Sequence, residues 1–348
     1  KYKCYLFTKM PDNSSGTLED FIEALANTPS PLIETIDTLP DVPINFTYRS
    51  AATQLASFQQ ADSFVLKDTN WQKLSYSFLN YDPGISKVID PQKTNTTSDD
   101  SYDQFIFQQL RKGAFTGNLV HHLMEHIDFS QPAYWSNTVS KSLQRMAPGL
   151  EATHTEGLVK MVDEISAMPL RAGNQVLELK NLLAANRLTE LEFNFPVREF
   201  MTDELAALSA PDHPFHLKQG QEWQGLMNGK IDFIGCFDGR YYIIDWKTNH
   251  LGYRTSDYDA AAVQEAMSDN NYHLQYYIYL SALYKFLQIR LPGFNYEQHV
   301  GGVFYLFVRG MRRDNDHGVF YRRPSEAELR SFMELISREK IGEDLIGS

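Results

Sequence analysis

The sequence predicts a mixed α/β fold. Three observations carry this: β-prone runs alternate with helical patterns in the second half of the chain, an Asp-Gly pair sits between two such runs as a hairpin signal, and 43% of the 348 residues are hydrophobic. That composition supplies a sizeable core. At roughly 150 residues per domain, the length suggests about two domains.

Taken in order, residues 2–7 (Tyr-Lys-Cys-Tyr-Leu-Phe) alternate and are β-prone, and residues 18–25 are amphipathic. Pro and Asn breaks come next, and the stretch is too small for a core of its own. Residues 1–70 are therefore expected to be the remnant of an upstream domain with its linker, and residues 71–348 the main domain. The chain starts at Lys1 with no signal peptide after it, which reads as a piece of a longer polypeptide. Residues 84–103 are polar and read as loop. From Phe105 through the stretch 160–188, apolar residues recur at three and four, predicting helices. Strands are expected at 191–197, 229–235, 240–246 and 302–308, with helices around 260–267 and 272–287. Residues 202–222, which contain Ser209-Ala-Pro-Asp-His-Pro, read as a surface loop. No repeat is visible.

Composition excludes several classes. The longest apolar runs, such as 303–308, are far too short to cross a bilayer. Two cysteines, Cys4 and Cys236, rule out a disulfide scaffold, a four-cysteine zinc site and a four-thiolate iron–sulfur cluster, and fit a reducing cytoplasm. A formal net charge of -12 argues against gripping nucleic acid by general electrostatics, so any DNA surface must be local. The densest basic stretch is Arg309, Arg312, Arg313, Arg322 and Arg323. A phosphate-contacting role and a solvated surface around a turn both fit it.

The chemistry concentrates in residues 229–247. Two β-prone runs flank Asp238-Gly239, a signal for a two-residue hairpin turn. With those residues as the turn, Phe237 pairs with Arg240 and Asp232 falls opposite Asp245. Lys247 lies two positions on, on the same face. Directly opposed residues have Cβ atoms about 4.5–5.5 Å apart, so two carboxylates there repel unless something positive lies between them. Divalent cations such as Mg²⁺ take carboxylate oxygens readily, and a neighbouring Lys stabilises developing negative charge. The plain alternative is a solvated face with an Asp–Lys ion pair.

This constellation, Gly229-Lys-Ile-Asp232 and then Asp245-Trp-Lys247, resembles the PD-(D/E)XK nuclease signature. The wider runs Gly239–Asn249, Tyr272-His-Leu-Gln-Tyr-Tyr-Ile-Tyr279 and Gly301–Gly310 resemble the C-terminal nuclease domain of RecB-type proteins, the beta subunits of exodeoxyribonuclease V. The similarity extends from about Trp71 onward, and residues 1–7 are similar to the segment immediately after the helicase motor in such proteins.

The resemblance implies a restriction-endonuclease-like mixed sheet flanked by helices. It also implies Mg²⁺-dependent hydrolysis of DNA phosphodiesters, with Mn²⁺ substituting. Asp232, Asp245 and His121 would hold the metal, and Lys247 would position the attacking water or the phosphoryl oxygens. His121 comes from Gly117-Asn-Leu-Val-His-His-Leu-Met-Glu125, which is similar to the family's Gly-x3-His-x3-Glu helix. Gln275 and Tyr279, one helical turn apart, match a Gln-x3-Tyr motif that supports the site, and Glu192 would lie near it. The implied partners are single-stranded DNA, a helicase portion of the same polypeptide, and RecC-like and RecD-like subunits. The setting would be cytoplasmic double-strand break repair and recombination, with no membrane.

Two other classes remain. One is a non-catalytic DNA-binding or subunit-docking module of the same fold, against which the intact acid–acid–Lys set argues. The other is an inverzincin-type zinc peptidase, because His122-Leu-Met-Glu125-His126 fits His-x-x-Glu-His, with Glu190 or Glu192 as the downstream ligand.

Overall fold

A computed structural model describes residues 71–80 and 100–337. The chain divides into two units, Lys1–Val65 and Leu66–Ser348. The first unit, and with it everything expected of residues 1–70, lies outside the described residues, as does most of the 84–103 loop.

The second unit is built on a sheet of strands β1 (Trp71–Leu74), β4 (Arg187–Met201), β5 (Glu222–Phe237), β6 (Arg240–Lys247), β7 (Val300–Phe307) and β8 (Val319–Arg322); β2 (Leu170–Ala172) and β3 (Gln175–Leu177) form a separate hairpin. The main sheet runs β1-β5-β6-β7-β8, with β4 also on β5. β1–β5 and β6–β7 are parallel, and the other pairs are antiparallel. Helices of eight or more residues are α1 (Ala114–His126), α2 (Trp135–Met146), α3 (Glu151–Ala167), α4 (Ala260–Asp269), α5 (Tyr272–Arg290) and α6 (Glu326–Ser337).

The centre of the sheet sits in the core. Every residue of β7 is buried, as expected of a strand in a parallel pair covered on both faces. α5 is buried on most of its circumference, so it shows no polar stripe and serves as the central helix. β5 and β6 turn through Asp238 and Gly239 with φ of 48° and 78°, the left-handed pair that a tight hairpin needs. β4 contains Pro196, which a strand bonded on one side only among the described residues can accommodate.

The expected helix through 160–188 is corrected. α3 stops at Ala167, because Pro169 pushes Met168 to an extended ψ of 130°. The chain then makes the β2–β3 hairpin around Gly173-Asn174, with Gly173 at φ +60°. The apolar rhythm continues past the helix because Leu170, Leu177, Leu179 and Leu182 are core residues supplied from turns and short strands.

The arginine stretch is structural. Arg309 is fully buried and donates to the carbonyls of Ile106, Leu110 and Arg111, and to that of Thr248 at 3.1 Å. It therefore clamps the segment that leads into α1 to the end of β6. Arg312 pairs with Asp103, Arg313 with Asp163 and Glu164, Arg322 with Asp212 and Glu328, and Arg323 with Glu297. All five are held by carbonyls or carboxylates of the chain itself, Arg309 and Arg312 as buried residues and the other three in partly exposed ion pairs.

Candidate active site

The β5–β6 ladder runs from Phe237↔Arg240 to Phe233↔Ile244, the register that the turn dictates. One step further, Asp232 and Asp245 occupy opposed positions, but the ladder has already ended. β6 carries on beside β7, with Asp245 next to Tyr305 and Lys247 next to Phe307. β1 takes the same edge of β5 only at residues 224–227. Residues 228–232 are left without a strand partner on that edge among the described residues, and Asp232 stands in the gap.

Asp245 is 2% exposed and Lys247 9%. Burial pushes the Asp245 carboxyl up to about 6; Lys247 opposes this and the charge of Asp232 adds to it. The Lys247 ammonium is ion-paired with Asp245 Oδ2 at 2.7 Å, and that buried oxygen has no further partner among the described residues. Burial alone would lower the Lys247 ammonium, but the Asp245 and Asp232 carboxylates override it and raise its pKa. Lys247 Nζ also donates to Gln275 Oε1 at 3.1 Å, which also accepts from Tyr305 Oη at 3.0 Å. Gln275 Nε2 in turn donates to Tyr279 Oη at 3.2 Å. The ammonium sits 3.9 Å from the Tyr272 ring centroid and 5.1 Å from that of Tyr305, a cation–π cradle that fixes its direction.

His121 projects from α1, whose apolar stripe (Leu119, Val120, Leu123, Met124) is buried in the core. Its Nδ1 lies 3.0 Å from Asp232 Oδ2, and its side chain is 35% exposed, so the site opens on this side. Burial pulls the imidazole down, while the hydrogen bond and charge of Asp232 more than offset it and raise the pKa. His121 thus faces Asp232, and Lys247 faces Asp245. By donor type, two carboxylates and an imidazole on the open side suit a hard divalent cation, although their ligand atoms are not all drawn within 4.8 Å of one another.

Gln275 and Tyr279 also wall a groove of about 360 Å³ with Ser75, Tyr76, Phe193, Asn228 and Lys230. A larger cavity of about 730 Å³, lined by Tyr102, Trp135 and Lys160 among others, contains none of the site residues.

Glu192 is exposed on β4, opposite Lys230, which lines the groove beside Gln275 and Tyr279. Glu190, at φ 56°, is ion-paired to Lys230. His122, Glu125 and His126 do gather, with donor atoms within 4.8 Å of one another, but no fourth His, Cys, Asp or Glu of the described residues joins them. A peptidase that keeps its Glu free as base needs such a ligand, and neither Glu190 nor Glu192 supplies it. The sequence alone does not single out Tyr76, Tyr272 or Tyr305. Tyr272 does carry a signal, lying three residues before Gln275 on the same helix face.

Residues 103–345 match the PD-(D/E)XK nuclease superfamily. The chain is 36% identical to the RecBCD enzyme subunit RecB of Haemophilus influenzae over 220 residues, 62% of this chain and 18% of that protein. It is 31% identical to RecB of Escherichia coli over 274 residues, 75% of this chain and 22% of that protein. With RecB of Mycobacterium tuberculosis H37Rv the identity is 27% over 322 residues, 79% of this chain and 29% of that protein. The matches span less than a third of each relative's length.

Proposed function

Because the chain belongs to the PD-(D/E)XK nuclease superfamily and carries a RecB-like nuclease domain, we propose that it hydrolyses phosphodiester bonds of single-stranded DNA using Mg²⁺, with Mn²⁺ able to substitute. The observation that carries the reading is the buried Asp245–Lys247 pair set against Asp232 and His121. Asp232, Asp245 and His121 would hold the ion, which when bound supplies Lewis acidity and offsets the charge of the phosphodiester.

The chain's own groups do the positioning. Lys247, aimed by Gln275 and by the Tyr272 and Tyr305 rings, is preorganised toward the negative charge that develops on the phosphoryl oxygens. Its buried setting costs no reorganisation at the moment of reaction. His121, with Nδ1 3.0 Å from Asp232 Oδ2, holds that carboxylate at the site and would share the ion with it. The strand would approach through the groove beside Gln275 and Tyr279, where Tyr76 and Phe193 offer ring faces to bases.

The RecB relatives are several times longer than the region they share with this chain. Their name supports a place for it in a RecBCD-type enzyme: joined to a helicase portion of the same polypeptide, assembled with RecC-like and RecD-like subunits, and acting in double-strand break repair in the cytoplasm.

The test is cleavage of end-labelled single-stranded DNA by the purified chain, with Mg²⁺ and with chelator, beside Lys247→Ala and Asp232→Asn. Cleavage that needs Mg²⁺ and disappears in both variants is expected. Wild-type turnover in folded Lys247→Ala, or cleavage unaffected by chelator, would overturn the mechanism.

A further inference from the structure

α1 carries a second set of donors that the nuclease centre does not use. His121 reaches Asp232, and one residue later the helix presents His122, then Glu125 and His126, in its final turns. His122 Nδ1 is 3.8 Å from Glu125 Oε2, and His126 Nδ1 is 3.6 Å from the same oxygen. The two imidazole rings lie 4.3 Å apart between centroids. Among the described residues this is the group of three His, Cys, Asp or Glu donors drawn closely enough together to share an ion.

We infer that the C-terminal turns of α1 form a binding site for a borderline transition-metal ion, Zn²⁺ in the first instance, held by His122, Glu125 and His126 and separate from the nuclease centre.

Three physical arguments carry the assignment. First, histidines at i and i+4 lie on one helix face at chelating distance, and here Glu125 adds an anionic oxygen between them. Second, His126 Nδ1 lies 2.8 Å from the His122 carbonyl oxygen. With Nδ1–H donating, Nε2 is the lone-pair nitrogen of this ring, so its place in the site rests on the 4.3 Å separation of the two imidazoles and not on the Nδ1 distance. Third, α1 ends at His126, so a cation bound there meets the negative end of the helix dipole.

The chemistry also separates the two sites. Two imidazoles and one carboxylate favour zinc, nickel or copper, whereas the two carboxylates of the nuclease centre suit Mg²⁺. Three protein donors leave a coordination position for water.

The function this implies is a clamp. Bridging His122 to His126 across one turn stiffens the end of the same helix that delivers His121.

The experiment is equilibrium dialysis of the full chain against Zn²⁺ in excess Mg²⁺, with Co²⁺ absorption as a second readout. Three proteins are compared: wild type, His126→Ala and Asp232→Asn/Asp245→Asn. One site of micromolar affinity is expected in wild type and in the double aspartate variant. It should be weakened by about tenfold or more in His126→Ala. Co²⁺ should give a visible d–d band that is lost in His126→Ala, whose circular dichroism reports the fold. Zinc binding kept in His126→Ala, lost in the aspartate variant, or absent from wild type would overturn the site. Because the readout is binding and not cleavage, failure here is distinguishable from failure of the nuclease reading.

Discussion

Asp245 and Lys247 form a buried pair in which each charge exists because of the other. Removing the ammonium leaves a carboxylate with no compensation, and losing one partner of such a pair costs about 3–5 kcal/mol. Lys247→Ala should therefore destabilise the metal-free protein by roughly that amount, and Lys247→Ala/Asp245→Asn should recover most of the loss while remaining inactive. Urea unfolding of the three proteins in chelator measures both steps. The sign of the pH dependence comes from the raised Asp245 carboxyl. Its native pKa of about 6 exceeds the ordinary value of 3.8, so the native state binds the extra proton. Its contribution to stability is fully present below the ordinary value and lost as pH rises through about 6. Relative to Asp245→Asn, the metal-free wild type should gain stability as pH falls through that window. A wild type that only loses stability there, measured against the variant, would show that Asp245 is ionised in the native state. Asp232→Asn, which lifts the repulsion without stranding Lys247, should melt at or above wild type in chelator and gain less from Mn²⁺.

At the scale of elements, the site depends on how closely β1 can approach β5. Gly225 has φ +147°, and a Cβ there would fall 1.8 Å from the Gln72 carbonyl oxygen. Gly225→Ala must push β1 away, and with it Tyr76, whose hydroxyl bonds the Asn270 carbonyl just before α5. A loss of roughly 1–3 kcal/mol is expected, with reduced cleavage although no site residue has changed; thermal melts and the DNA assay check the two parts. The sequence made some of this readable and hid the rest. Asp238-Gly239 set the hairpin register, because few residues tolerate two successive left-handed conformations, and the register then placed Asp232 against Asp245. β1 and β8 escape a sequence reading because four residues are too few to establish a period. The end of α3 is marked by Pro169 but masked by leucines that continue into the core. The arginine partners are invisible because Asp103, Glu164 and Glu297 are distant in sequence from the arginines they hold, or lie on other elements.

Across the whole molecule, a net charge of -12 and the commitment of Arg309, Arg312, Arg313, Arg322 and Arg323 to internal partners leave little general attraction for DNA. Capture of a strand must then be local and salt-sensitive. Added salt should raise KM for single-stranded DNA while leaving kcat nearly unchanged, provided Mg²⁺ is saturating; a fall in kcat with KM constant would show that salt acts on the centre itself. The gap in the β5 edge has its own consequence. Between the stretches paired to β1 and to β6, residues 228–232 have no strand on that side among the described residues, while β4 covers the other side. Amide hydrogens pointing toward the gap should exchange with deuterated solvent faster than their neighbours at both ends of the same strand. β5 would then show a fast window in the middle of a slow element, and slowing within that window on addition of metal or DNA would report occupancy of the centre without any bond being cut.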